Sequence, residues 1–233
     1  MFISKIGFND SGEAKNELLN WVKMHNQSEY SEHQLLWESF PNRGDEERSF
    51  IYRKERGGHS SFPFFYLVSE IAPISDRNFL QVLGIKEYDP QIVEGELLSF
   101  SVRINATISK KVPGKKNSVR HTIWQDARAE GLKNGLEDEN LAEFIDLTTK
   151  EWLVSRAERN GFSISCDDFI VEGYEKITFT KKKNQKEISF GVVDYTGTLR
   201  VTNPLRFKEL LFKGIGRSKA FGCGLMLVKR VQS

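Results

Sequence analysis

Four histidines, His25, His33, His59 and His121, and two cysteines, Cys166 and Cys223, are the residues of this 233-residue chain best suited to chemistry. Histidine ordinarily titrates near neutrality, so it is the natural carrier of a proton in a reaction at physiological pH. No two of the four stand at zinc-ligand spacing with a cysteine, and two cysteines make no disulfide framework. We expect neither a metal nor a cofactor. His33 lies in EYSEHQLL, three residues after Tyr30. If that segment is helical, both side chains share one face. Taken alone, a histidine near a helix start is more often a solvated surface residue. His25 reads as structural or exposed, His59 as part of a glycine-serine turn, and His121 as a follower of a basic segment.

A second feature is GIGRSKAFGCGLMLVKRV, Gly214 to Val231, with four glycines in its first eleven residues. Glycine loops that cradle phosphates sit between a strand and the helix that follows it. Here a helical segment precedes the loop and an apolar strand follows. That order rejects a nucleotide cofactor. Glycines still permit positive φ and close backbone approach, and their amides can form an anion-binding nest. Arg217 and Lys219 add positive charge. The alternative is a plain helix cap followed by a tight turn.

The formal charge is only +2, but it is unevenly spread. From Asn203 onward, Arg206, Lys208, Lys213, Arg217, Lys219, Lys229 and Arg230 face Glu209 alone. KKVPGKKNSVRH (Lys110 to His121) has no acid, and KKKNQK (Lys181 to Lys186) is a third cluster. LEDENLAEFID between them is acidic. Such asymmetry suits a polyanion bound on one side. Solvated lysine loops are the plainer reading of any single cluster.

The elements that must position these residues follow from periodicity. MFISKIGF reads as a strand and GEAKNELLNWVKMHN as a helix. Ser31 to Phe40 reads as a second helical segment, ended by Pro41. RSFIYRKE, FFYLVSE and the alternating GELLSFSVRINATIS read as strands. Residues 71–90 fit neither period. Asp138 would cap a helix running to Gly161, and short strands follow. Asn203 and Pro204 would open the helix PLRFKELLFKG, which ends at Gly214. The expected class is α+β with two tandem ferredoxin-like (βαββαβ) domains, 1–109 and 122–233, joined by a basic linker at 110–121. No apolar run approaches the roughly 18 residues that cross a bilayer, and no signal peptide is evident. A cytoplasmic protein without a membrane partner is the expectation.

Several of these segments together resemble a known family. GIGRSKAFGCGLMLV is similar to the C-terminal glycine-rich signature of the CasE family, the repeat-processing endoribonucleases of type I-E CRISPR systems, within the repeat-associated mysterious protein superfamily. MFISKI resembles the family's first strand and HQLLWESFPN its histidine-helix-Phe-Pro-Asn segment. FSVRINATIS resembles a further strand, with Ala106 where proline is usual. The resemblance spans the chain. It implies tandem ferredoxin-like domains. It also implies metal-independent cleavage of a CRISPR repeat RNA at the 3′ base of its hairpin, and an enzyme that stays on the guide RNA as a subunit of a surveillance complex.

Metal-free RNA cleavage uses the ribose 2′-hydroxyl as nucleophile and leaves a 2′,3′-cyclic phosphate and a 5′-hydroxyl. The resemblance makes His33 the acid or base and Tyr30 its partner. RNA stems are held mainly by shape and phosphate contacts. The candidates for that work are Lys181, Lys182, Lys183 and Lys186 of a basic hairpin, Arg103, Lys110, Lys111, Lys115 and Lys116. Gly214, Gly216, Arg217 and Lys219 of the glycine loop complete the set. Trp37, Trp124 and Trp152 read as core. A non-cleaving RNA-binding scaffold subunit is the alternative. A backbone subunit that coats guide RNA and a phosphate-binding metabolic enzyme stand further off.

Overall fold

The structure is a computed structural model that describes residues 1–25, 29–40, 49–56, 62–74, 78–111, 114, 117–181 and 186–231. The chain divides into two compact units. The first comprises Met1–Pro90 with Thr178–Ile188 and Ser218–Leu225. The second comprises Gln91–Ile177, Ser189–Arg217 and Met226–Ser233.

The first unit runs β1 (Phe2–Phe8), α1 (Gly12–His25), α2 (Glu29–Trp37), β2 (Phe50–Glu55), β3 (Phe64–Ser69) and β4 (Leu80–Glu87). Its strands form one antiparallel sheet in the order β2-β3-β1-β4. Alternation sends Phe50, Tyr52, Phe65, Leu67 and Ile6 to one face. There they bury against Ala14, Leu18 and Trp21 of α1 and Leu35 and Leu36 of α2. Ser11 caps α1, its hydroxyl accepting from the amide of Ala14 at 3.3 Å. The helix α2 gives way after Trp37 to tight turns, in which the amides of Glu38, Ser39 and Phe40 each reach back three residues. Residues 71–90 contain β4, an edge strand. Leu83 and Ile85 on it are exposed and its pairing shifts register opposite Lys5 and Ile6. That exposure is why no buried-face period is visible in its sequence.

The second unit runs β5 (Leu97–Ile104), β6 (Thr107–Lys110), β7 (Val119–Thr122), α3 (Ile123–Lys133), α4 (Asp138–Ala157) and β8 (Phe162–Ser163). It continues with β9 (Phe169–Lys181) and β10 (Lys186–Val201), whose shared hairpin end, Thr178–Ile188, belongs to the first unit, and then α5 (Pro204–Lys213) and β11 (Met226–Arg230). The sheet order is β11-β5-β10-β8, with β9 paired to β10. Both sheets therefore carry the strand order of a ferredoxin-like fold, twice in tandem.

The strand expected to close the first domain, within residues 1–109, instead opens the second sheet, where β5 pairs with β10 and β11. The basic stretch 110–121 is no free linker at its ends: Thr107–Lys110 pairs with Val119–Thr122 as a hairpin. The region from 122 onward is likewise divided, because Thr178–Ile188 and Ser218–Leu225 group with the first unit. The helix α3 has no counterpart among the expected elements, and α4 is entered through Glu137, with Asp138 already inside the helix at φ 45. The helix α5 matches expectation. Asn203 accepts from the amide of Arg206 at 3.0 Å, Pro204 follows it, and the Gly214 amide closes on the Leu210 carbonyl at 2.7 Å.

Candidate functional site

His33 is carried on α2 and is half-buried. Four residues on, one helical turn away, the indole N–H of Trp37 donates to His33 Nε2 at 3.2 Å. The imidazole also stacks on Phe50 of β2, with centroids 5.7 Å apart and 28° between planes. Phe50 in turn stacks on Phe40 at 4.9 Å and meets Trp37 edge-on at 5.3 Å. An aromatic bed from β2 and the end of α2 thus fixes the ring. An indole can only donate, so the nitrogen it meets carries a lone pair. Tyr30 occupies the start of α2, and its side chain lies outside the described structure. Glu32 pairs with Lys54 of β2.

The glycine-rich loop divides between the two units. Within the first, a 3-10 turn, Lys219–Phe221, packs against α2 and β2. Lys219, the first residue of that turn, is half-exposed. The Tyr52 hydroxyl donates to the Ala220 carbonyl at 3.3 Å. Gly222 sits at φ 74, where a Cβ would lie 3.2 Å from the Tyr52 ring.

Within the second unit, Gly214 caps α5, Arg217 is exposed and bridges to Asn105, and Gly216 adopts φ 79. A Cβ on Gly216 would stand 2.6 Å from Ile104 Cγ2, so only glycine fits. The two central glycines serve close packing.

The remaining candidates are scattered. Arg103 is gripped by Asp194 through two hydrogen bonds of 2.9 and 2.7 Å and by Glu175 at 3.2 Å. Lys110 meets Asp126 at 2.6 Å and Glu130 at 3.5 Å, and the hydrogen bond to Asp126 holds its ammonium pKa above the ordinary lysine value. Lys111 is exposed. Lys115, Lys116, Lys182 and Lys183 lie outside the described residues, as does His59. Lys181 ends β9 and Lys186 begins β10, so both stand in the hairpin strands, with side chains outside the description. His25 ends α1 with its side chain likewise undescribed, and His121 lies half-exposed on β7. Trp124 stacks on Tyr174 at 4.4 Å and 7°. Among the described residues no three His, Cys, Asp or Glu side chains gather as a metal site, and no helix is long and apolar enough to cross a membrane.

Sequence reasoning places Trp37 in the core. It does pack, partly buried, against the core of the first unit, but its hydrogen bond to His33 escapes that reading. The signal was present in the spacing, since His33 and Trp37 stand four apart on one helix.

The family model described as "CRISPR associated protein" matches residues 1–230. The chain belongs to this family. Among relatives of this family member, the "CRISPR-associated endoribonuclease Cse3" of Thermus thermophilus is 22% identical over 241 residues, covering 98% of this chain and 99% of the relative. The "CRISPR system Cascade subunit CasE" of Escherichia coli is 27% identical over 202 residues, covering 84% and 89%. The solved structure of Cse3 bound to a 19-nucleotide RNA superposes with a TM-score of 0.68 at 21% identity, covering 98% of this chain and 100% of that one. This likeness establishes the shared fold.

Proposed function

We propose that the chain is an endoribonuclease that cleaves CRISPR repeat RNA at the 3′ base of its hairpin and remains on the product as a subunit of a multi-subunit complex. Two relatives named as an endoribonuclease and as a Cascade subunit support this reading. The observation that carries it is the setting of His33. Its ring is clamped between Phe50 and Trp37, and its helix packs against the basic turn of the glycine loop.

In the proposed reaction the ribose 2′-oxygen forms a bond to phosphorus as the bond to the 5′-oxygen breaks. The 2′-hydroxyl loses a proton and the 5′-oxygen gains one, giving the cyclic phosphate and the 5′-hydroxyl. His33 serves one of these transfers, with Tyr30 orienting the hydroxyl or phosphate. Lys219 on the adjoining turn supplies positive charge for the phosphate. No step requires a metal. Lys181, Lys182, Lys183 and Lys186 hold the stem, with Lys111, Lys115, Lys116 and Arg217 along its flanks. Arg103 and Lys110 already serve internal carboxylates and contribute less.

The test incubates hairpin RNA of the repeat sequence from the source genome with wild type and with His33→Ala, in excess EDTA. Cleavage at one site by wild type, a cyclic phosphate end and loss of cutting in the variant are expected. Tight binding without cutting by wild type would assign the chain to the scaffold reading.

A further inference from the structure

Trp37 has no place in the chemistry above, yet it makes the described hydrogen bond to the side chain on which that chemistry depends. Its indole N–H reaches Nε2 of His33 at 3.2 Å, and its ring meets the imidazole edge-on with centroids 6.0 Å apart. An indole N–H is a donor and nothing else, whereas an imidazolium offers only donors. The bond therefore exists only while Nε2 is unprotonated. It favours the neutral ring and, within the neutral ring, the tautomer with its proton on Nδ1.

We propose that Trp37 is a positioning residue that selects the tautomer and the protonation state of His33. The inference rests on the reading of His33 as the proton-transfer group. Isolated imidazole exchanges freely between tautomers; here the packing of Trp37 against Phe40 and Phe50 holds the donor in place. Protonating Nε2 breaks the bond, so proton uptake by His33 is coupled to movement of the indole. Titratable and charged groups on and around α2 are Glu29, Tyr30, Glu32 and Glu38 on the helix and its end, Tyr52, Arg53, Lys54 and Glu55 on β2, and Lys219 on the packed turn. Glu32 is neutralised by Lys54, and Arg53 pairs with Glu55.

Trp37→Phe keeps an aromatic ring beside Phe40 and Phe50 and removes the donor. Nitrogen-15 NMR of the full chain reads the result directly. In wild type, Nε2 of His33 is the unprotonated nitrogen at neutral pH, and a scalar coupling crosses the hydrogen bond from Trp37 Nε1. In Trp37→Phe, the Nε2-protonated tautomer gains population and the titration midpoint of His33 rises by about 0.5–1 pH unit, the equivalent of one lost hydrogen bond to the neutral form. In single-turnover cleavage, whichever limb of the pH profile His33 sets moves to higher pH by the same amount. A protonated Nε2 without coupling in wild type overturns the proposal with no variant needed. Equal midpoints and tautomers in the two proteins also overturn it. An NMR shift with an unmoved cleavage profile overturns instead the reading of His33 as the proton-transfer group, and with it any catalytic role for Trp37.

Discussion

The hydroxyl of Tyr52 donates to the backbone carbonyl of Ala220, 3.3 Å away and 168 residues further along the chain. Tyr52 is fully buried in β2 under the helix that carries His33, and Ala220 lies in the turn that carries Lys219. This bond fastens the glycine loop to the floor of the candidate site. Tyr52→Phe removes it and keeps the ring. We expect a loss of about 1 kcal/mol, which lowers Tm by about 2–4 °C for a chain of this size. Thermal unfolding checks it, and an unchanged Tm would show that the bond does not hold the loop.

The two packed glycines differ in what surrounds them. Gly216→Ala must place a Cβ against Ile104 at a left-handed φ and should cost about 2–4 kcal/mol. Gly222→Ala meets the Tyr52 ring at 3.2 Å and should cost about 1–2 kcal/mol. Urea denaturation ranks them, and the reverse order would contradict this packing.

Neutralising Lys181, Lys182 and Lys183 together should weaken hairpin RNA binding. It should also flatten the dependence of log K on log salt by about one for each phosphate that the three lysines neutralise. An unaltered slope in binding measured between low and high salt would remove the basic hairpin from the phosphate-binding surface.

Arg103→Ala makes the contrasting case. Its side chain is 35% exposed and its guanidinium is paired with Asp194. Screening by solvent limits the loss to about 0.5–1 kcal/mol of stability. The salt slope of RNA binding should stay as in wild type, and a lowered slope would return Arg103 to the RNA-contacting set.

Asp168 gives a pH dependence of defined sign. Its carboxylate accepts from the Ser165 amide at 2.7 Å and the Ser165 hydroxyl at 2.9 Å. The amide bond is the larger cause that holds its pKa below the ordinary 3.8. The folded state thus prefers the carboxylate. The stabilisation is present above 3.8 and is lost as pH falls through the lower, folded value. Wild type should lose stability relative to Asp168→Asn on acidification below about pH 4. Parallel stability curves in that range would contradict it.

How far the sequence reaches depends on whether the deciding partner is local. The helix α5 is legible end to end, because Asn203, Pro204 and Gly214 are its own caps. Tyr30 and His33 stand three positions apart, so sequence alone puts both on α2, whereas the surroundings of the Tyr30 side chain lie outside the described residues. Arg103 reads as an outward strand residue until Asp194, 91 positions away, is brought beside it. Alternation identifies β5 as a strand but says nothing of which sheet receives it, and this misplaced the boundary at residue 109. The helix α3 buries Ile123, Ala127 and Gly131, two of them too small to register as an apolar stripe.

The membership of Ser218–Leu225 in the first unit also sets an order of events during synthesis. A domain made of contiguous chain can fold as soon as it clears the ribosome. Here the floor beneath α2 lacks its last piece until Leu225 has been added, so the helix bearing His33 waits, incompletely walled, while most of the second unit is made. A chain halted before that point would carry the histidine and the tryptophan without the turn that packs against their helix.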